Sequence, residues 1–247
     1  MSRPAVAALA PLPFELVYDD GVPLESRWHR LQMNLLIDGI RQGMAERERT
    51  DYFVGGNMFV YYSYEQARDV AAGRSYFRGP DVFYVSGVAI GRERNAWVTW
   101  EEEGRLPEVI FELLSPSTAG VDRTEKKALY AHTFRTAEYF LYEPGSRKPE
   151  GFRLAGDDYL SLVPNGAGRL WSERLGLEIG LWRGVYQDLK GTWVRLFRSD
   201  GSLVPTPEEA AVERAAAAET RAAAAVARAA AAESELERLR TLLGEGG

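Results

Sequence analysis

The segment PEVIFELLSPSTAGVDRTEKKALYA, residues 107–131, decides the fold and contains its most unusual residue. Its first part is a nearly continuous apolar run, which is typical of a strand that is buried on both faces. Glu112 stands in the middle of that run, between Phe111 and Leu113. A lone buried carboxylate costs several kcal/mol unless it is paired, protonated or bound to a metal. The segment therefore predicts a core strand whose one acidic side chain needs a specific partner.

Side chains alternate along a strand, so Glu112 shares its face with every second residue of the run. One face then carries Glu108, Ile110, Glu112 and Leu114, and the other carries Val109, Phe111 and Leu113. After a short loop, the spacing of Asp122 and Glu125 predicts a capping box at the start of a helix. Lys126 lies in the first turn of that helix, where it can reach the end of the Glu112 strand.

Asp81, directly after Pro80 and before another apolar strand, is a second candidate carboxylate. Two carboxylates are hard oxygen ligands for Mg²⁺, which also takes waters and phosphate oxygens. A lysine beside them can position an attacking water or stabilise a transition state. Asp81, Glu112 and Lys126 thus suit metal-dependent phosphodiester hydrolysis, with Asp81 and Glu112 as the metal ligands. The residues alone leave a second interpretation open, in which Glu112 and Lys126 form a buried ion pair and Asp81 ends a turn.

The chain divides into two parts of different composition. Residues 1–205 alternate predicted helices and strands with aromatic residues throughout, which indicates a mixed α/β domain with a central sheet. Within it, the three- and four-residue spacing of apolar residues predicts an amphipathic helix; these residues are Trp28, Leu31, Leu35 or Leu36, and Ile40. Residues 206–247 are rich in Ala, Glu and Arg, and Thr206 or Pro207 marks the start of a long helix.

In this tail, Leu236, Leu239 and Leu243 follow a heptad spacing. The same register, extended towards the start of the helix, contains only alanines: Ala215, Ala218, Ala222, Ala225, Ala229 and Ala232. Alanines allow helices to approach closely but bury little area. The pattern favours a coiled coil that forms a homodimer, and a lone solvated helix is the alternative that the sequence leaves open.

Composition excludes several classes of protein. The 247 residues include no cysteine, which rules out disulfides, thiolate metal sites and cysteine nucleophiles. We expect no transmembrane helix, since no apolar run reaches the length of a membrane span. The Pro-interrupted first twenty residues make a poor signal peptide, so we expect a cytoplasmic protein. The net charge of -6 gives no overall attraction to nucleic acid, although a bound metal can reverse the local field.

Four stretches resemble the core of the Uma-two-type restriction-endonuclease family, within the PD-(D/E)XK nuclease superfamily. They are GPDVFYV at 79–85, PEVIFELLSPST at 107–118, DRTEKKALYA at 122–131 and AEYFLYEP at 137–144. The resemblance covers residues 12–205 and implies a restriction-endonuclease-like α/β core. It also implies Mg²⁺, with Mn²⁺ as a substitute, and a nucleic-acid substrate, with DNA expected.

The resemblance assigns the candidate residues one by one. Asp81 matches the first metal-binding aspartate and Glu112 the acidic residue of the second motif. The superfamily's lysine two residues later is absent, because Leu114 stands there, and Lys126 takes its place in the following helix. His29 matches a histidine that often opens the family's first helix, where a capping or packing role competes with a catalytic one.

Three further departures from the family pattern are visible. Glu108 and Glu143 stand where the family often has aspartates, which keeps the charge, and Phe134-Arg135 replaces a Gly-Val pair after the helix. None of them removes the three candidate residues. The expected function is therefore a metal-dependent endonuclease, and the alternative is a nuclease-fold module that does not cut and assembles through its tail.

Overall fold

A computed structural model of the protein describes residues 12–18, 26–74, 79–89, 91–116 and 118–244. Ser117 of the opening segment lies outside these residues. The described chain forms two compact units, one that ends at Val204 and one that begins at Pro205.

The first unit contains three helical segments of eight or more residues, one short 3-10 segment (Thr99–Glu101) and eleven strands among the described residues. The helices are α1 (Arg27–Ala45), α2 (Tyr64–Ala71) and α3 (119–134). The first six strands are β1 (Tyr52–Gly56), β2 (Val60–Tyr61), β3 (Val82–Ser86), β4 (Trp97–Val98), β5 (Val109–Leu113) and β6 (Glu138–Tyr142). The last five are β7 (Glu150–Ala155), β8 (Asp158–Ser161), β9 (Leu170–Ser172), β10 (Leu177–Tyr186) and β11 (Leu189–Phe197).

A six-stranded sheet with the order β1-β3-β5-β6-β7-β8 forms the centre of this unit. Its only parallel pair in the described chain is β5–β6, and α3 is the crossover between those two strands. Strands β9, β10 and β11 form an antiparallel three-stranded sheet, and β2 pairs with β4. The predicted fold class, a mixed α/β domain with a central sheet and flanking helices, is confirmed.

Strand β5 lies at the middle of the core, as its sequence predicted, and all five of its residues are buried. Val109, Phe111 and Leu113 join a cluster with α1 and the three-stranded sheet. Ile110 and Leu114 join the cluster under α3 on the opposite face. The predicted alternation is therefore confirmed, and it places the Glu112 side chain on the α3 face of the central sheet.

Helix α3 begins four residues earlier than the capping-box spacing predicted. Its first residue is Ala119, and the backbone N–H of Asp122 donates to the carbonyl of Thr118 inside the helix. The Asp122 side chain makes no capping hydrogen bond; it contacts Lys126 instead. The predicted N-cap was wrong because the hydroxyl-rich loop before Ala119 already forms the turn that starts the helix.

The second unit is one long helix, α4 (Pro207–Gly244). Its start follows the prediction, because Thr206 and Glu209 form a reciprocal capping box. The Glu209 N–H donates to Thr206 Oγ1 over 3.2 Å, and the Thr206 N–H donates to Glu209 Oε2 over 2.7 Å. The described side chains of the leucine seam, Leu236 and Leu239, are exposed in the single chain. Dimerisation through this seam stays a prediction.

No helix of the described chain combines the length and the apolar character that crossing a membrane would require.

Candidate active site

The register of two antiparallel strands brings Asp81 and Glu112 to one edge of the sheet. Val82 of β3 pairs with Phe111 of β5, so one further step places Asp81 opposite Glu112. Paired residues of an antiparallel ladder project from the same face. A hydrogen bond of 2.7 Å from the Leu113 N–H to Asp81 Oδ2 keeps this end of the two strands together. The two predicted carboxylates therefore converge.

Asp81 has a second fixed contact, from the start of helix α1. His29 Nε2 lies 3.0 Å from Asp81 Oδ1, and both side chains are largely shielded from solvent. The N-cap of α1 is Ser26, whose Oγ accepts a hydrogen bond from the His29 N–H. The imidazole is therefore not a helix cap. It orients the carboxylate of Asp81, one oxygen of which is held by His29 and the other by Leu113.

Glu112 is only 2% exposed and is held from helix α3. Lys126 Nζ lies 3.1 Å from Glu112 Oε1, and the Tyr130 hydroxyl donates to the same oxygen over 2.8 Å. Lys126 and Tyr130 thus both contact the same carboxyl oxygen of Glu112, Oε1. The predicted reach of Lys126 from the helix to the end of the strand is thus seen in the structure.

Asp122 completes the group, since its Oδ1 lies 2.8 Å from Lys126 Nζ. Lys126 therefore lies between two buried carboxylates, and a fifth of its own side chain is exposed. The sequence reading missed both Asp122 and Tyr130 as site residues. The signal was present in the spacing, because Asp122, Lys126 and Tyr130 follow one another at four-residue intervals, which neighbours on a helix share.

The irregular shape of α3 keeps these three residues in line. Four residues of an α-helix turn by about 400°, so side chains four apart drift by about 40° at each step. The stretch Asp122–Lys126 is π-helical, with more residues in each turn, and this wider turn reduces the drift between Asp122 and Lys126. Tyr130 follows Lys126 by one regular helical step, and all three side chains reach the site.

The site gathers three carboxyl groups around the ammonium of one lysine. Burial raises the pKa of Glu112 to about 8; the Lys126 ammonium opposes this shift, and the carboxylates of Asp81 and Asp122 add to it. Burial by itself would lower the pKa of Lys126, but Glu112 and Asp122 outweigh it and raise that pKa above its ordinary value. Lys126 is therefore charged at neutral pH, and one cation faces three carboxyl groups.

This excess of carboxylates fits a divalent cation in its donor chemistry. Among the residues that the structure describes, no group of three or more His, Asp and Glu side chains is arranged to hold a metal. Mg²⁺ does not require such a group, since it commonly binds through one or two carboxylates, several waters and substrate phosphates. Asp81 and Glu112 are the residues that would hold it.

Comparison with known proteins places the chain in a family. Residues 12–186 match the profile of the Uma2 family, described as "Putative restriction endonuclease". The chain belongs to this family. The match covers more than half of the chain and includes Asp81, Glu112 and Lys126, and it confirms the predicted family.

Among solved structures, the chain is similar to a "putative nuclease belonging to DUF820" from Anabaena variabilis ATCC 29413. The two share 14% sequence identity with a TM-score of 0.43, over 64% of this chain and 81% of the other. Among curated proteins, no sequence matches this chain.

Proposed function

We propose that this member of the Uma2 family is a metal-dependent endonuclease that hydrolyses phosphodiester bonds of DNA. The observation that carries the proposal is the convergence of Asp81 and Glu112, on adjacent strands, next to the ammonium of Lys126. Family membership supports the nuclease activity. The choice of Mg²⁺, with Mn²⁺ as a substitute, and of DNA over RNA belongs to the proposal.

Each residue has a role that follows from its contacts. Asp81 is fixed by His29 and by the Leu113 N–H, so its carboxylate is oriented before a ligand arrives. Glu112 and Asp81 would hold the cation, which would neutralise phosphate charge and lower the pKa of a bound water. Lys126, whose amine is partly exposed, would orient the attacking water or stabilise the charge that develops on the phosphate.

The same contacts favour a second candidate function. Glu112 and Lys126 are in direct contact, and the carboxyl group of Glu112 is almost completely buried. Such a pair is also what a nuclease fold without activity would retain for stability. In that case the protein would be a binding or assembly module, with α4 as the element that joins two copies. Homodimerisation and a cytoplasmic location are predictions under either function.

The nuclease requires a divalent cation for cleavage, whereas the assembly module does not. We would titrate Mg²⁺ and Mn²⁺ into wild type and Glu112→Gln by calorimetry, with and without DNA, and measure plasmid nicking on the same samples. Glu108→Gln is the matched control, because Glu108 immediately precedes the same strand and lies outside the site. Nicking that requires metal and disappears only in Glu112→Gln supports the nuclease. Absence of both metal binding and nicking in wild type, with DNA present, supports the assembly module.

A further inference from the structure

A polar cleft of about 460 Å³ opens between helix α1, strand β1 and the tip of the β10–β11 hairpin. Helix α1 contributes Asn34, Asp38 and Arg41, which stand three and four residues apart on one side of the helix. The hairpin tip contributes Tyr186 and Gln187. The side-chain amides of Asn34 and Gln187 make no hydrogen bond within the described chain, so both are available to a ligand.

Strand β1 and helix α1, which form two walls of the cleft, both contact Asp81. Gly56, which lines the cleft, is the last residue of β1, and a Cβ there would lie 2.8 Å from the Asp81 carbonyl oxygen. The next residue, Asn57, donates its N–H to that carbonyl over 3.1 Å. On the other wall, α1 carries His29, which contacts the Asp81 carboxylate. The cleft therefore borders the backbone of Asp81, and the helix that forms one of its walls carries the His29 partner of the Asp81 carboxylate.

The hairpin tip keeps an unfavourable backbone. Tyr186 pairs with Leu189, which leaves Gln187 and Asp188 as a two-residue turn with φ of 47° and 61°. Such turns favour Asn-Gly or Gly-Gly, because side chains other than Asn and Asp are disfavoured at positive φ. Arg27 holds the tip by a 2.7 Å hydrogen bond to the Gln187 carbonyl. A glutamine at a position that suits glycine motivates a test of its side chain.

We infer that this cleft binds a nucleotide next to the cleaved phosphate, and that Gln187 helps to select its base. The inference rests on the proposed function. A volume of this size accommodates one nucleotide. Tyr186, whose ring packs at a steep angle against Trp193, brings an aromatic side chain to the cleft, and Arg41 offers a cation for a phosphate. The two walls thus supply the contacts that a single nucleotide needs.

The polar groups favour bases that carry an exocyclic amino group. The amides of Asn34 and Gln187 suit the adjacent donor and acceptor of adenine, and the acceptor-only carboxylate of Asp38 suits the amino group of cytosine. Thymine has no amino group and offers only its ring N3–H as a donor. We therefore expect the cleft to bind thymine less tightly than adenine or cytosine.

Calorimetric titration of the full chain with dAMP, dCMP, dGMP and dTMP, without metal, tests the inference. We expect dAMP or dCMP to bind at least about fivefold more tightly than dTMP. Gln187→Gly is expected to weaken the preferred nucleotide about fivefold without lowering the Tm, because glycine relieves the turn. Asp188→Gly is the control: it relieves the neighbouring position, which does not line the cleft, and binding should equal that of wild type.

The inference is overturned if no nucleotide binds at millimolar concentration, if dTMP binds as well as the others, or if Gln187→Gly and Asp188→Gly behave alike. The variant Glu112→Gln distinguishes nucleotide binding in the cleft from cleavage at the proposed metal site. Nucleotide binding should persist in that variant while nicking is lost. Nicking that depends on Glu112 without any nucleotide binding would overturn the cleft alone, whereas selective binding with nicking independent of Glu112 would overturn the proposed chemistry.

Discussion

Lys126 Nζ lies 3.1 Å from Glu112 Oε1, and this contact joins helix α3 to the central strand of the domain. A second carboxylate, Asp122, touches the same ammonium. Without a metal, Lys126 is therefore the cation that compensates two buried acidic groups. A bound metal would share this role with Lys126, because it would also supply positive charge beside the acidic groups. The free energy of unfolding of the domain should therefore change when metal binds.

Replacement of the lysine should destabilise the domain in a way that metal reverses. Lys126→Met removes the cation beside Glu112 and Asp122, and loss of the buried ion pair with Asp122 costs about 3–5 kcal/mol. We expect Mg²⁺ to restore part of this loss, because it supplies positive charge at the same place. Urea unfolding followed by tryptophan fluorescence measures the first unit alone, since all six tryptophans precede residue 205.

The neighbouring residue provides the control for this experiment. Lys127 lies with its ammonium 3.5 Å from the centre of the Phe152 ring and outside the site. Lys127→Met should cost about 1 kcal/mol with or without Mg²⁺. An equal loss for Lys126→Met in EDTA and in Mg²⁺ would contradict the metal-binding role.

Burial of Glu112 should give the metal-free protein a pH-dependent stability. The pKa of this carboxyl is about 8 in the folded protein and 4.5 in ordinary surroundings. Between these values the folded state holds a proton that the unfolded chain has released, so the free energy of unfolding falls as the pH rises. At about 1.4 kcal/mol for each pKa unit, the change amounts to a few kcal/mol.

Glu112→Gln should remove this component. We expect its Tm in EDTA to vary less between pH 5 and pH 8 than that of wild type, with the largest difference at pH 8. Calorimetric scans at four pH values measure the effect, and Glu108→Gln should keep the wild-type slope. Parallel curves for wild type and Glu112→Gln would show that Glu112 titrates as an ordinary glutamate.

The hydroxyl of Tyr130 should tune metal affinity. It donates to Glu112 Oε1 over 2.8 Å, and a hydrogen bond to the ionised form lowers the pKa of a carboxyl. Tyr130→Phe therefore raises the pKa of Glu112 further, so that a metal must displace a proton more often. We expect Mg²⁺ affinity to fall several-fold at pH 7, with the difference shrinking at pH 9.

Tyr139→Phe is the matched control for this prediction. Its hydroxyl is buried in the same layer but donates to the backbone carbonyl of Asp122 over 2.9 Å. Calorimetry of both variants at the two pH values separates the roles. A loss of affinity in Tyr130→Phe that stays constant with pH would indicate a packing defect.

The sequence predicted the parts of the site that depend on short-range periodicity. The alternation along Val109–Leu113 placed Glu112 on one face, and the short loop to the helix placed Lys126 beside it. The pairing of Asp81 with Glu112 depends on strand register, which a single strand does not encode. Its assignment came from the family resemblance, and the structure supplies the register that accounts for it.

Other features depend on contacts between distant segments. Residues Asn34 and Gln187 line one cleft although about 150 residues separate them, so no local pattern marks them. The role of Asp122 was misjudged because the capping-box spacing is local and the ion pair with Lys126 depends on where the helix begins. The sequence likewise predicted a helix for α3 without its π-helical turns at Asp122–Lys126 and Tyr130–Phe134.

The leucine seam of α4 predicts an oligomer that single substitutions can test. Leu236 and Leu239 are about half exposed in the single chain, which is unusual for two neighbouring seam leucines without a partner. We expect sedimentation of the full chain to show a homodimer, and Leu236→Glu with Leu239→Glu to weaken the dimer at least tenfold through like charges at the seam. Ala227→Glu, on the opposite side of the heptad, should leave the dimer intact. A wild-type chain that sediments as a monomer at all concentrations would identify α4 as a solvated helix.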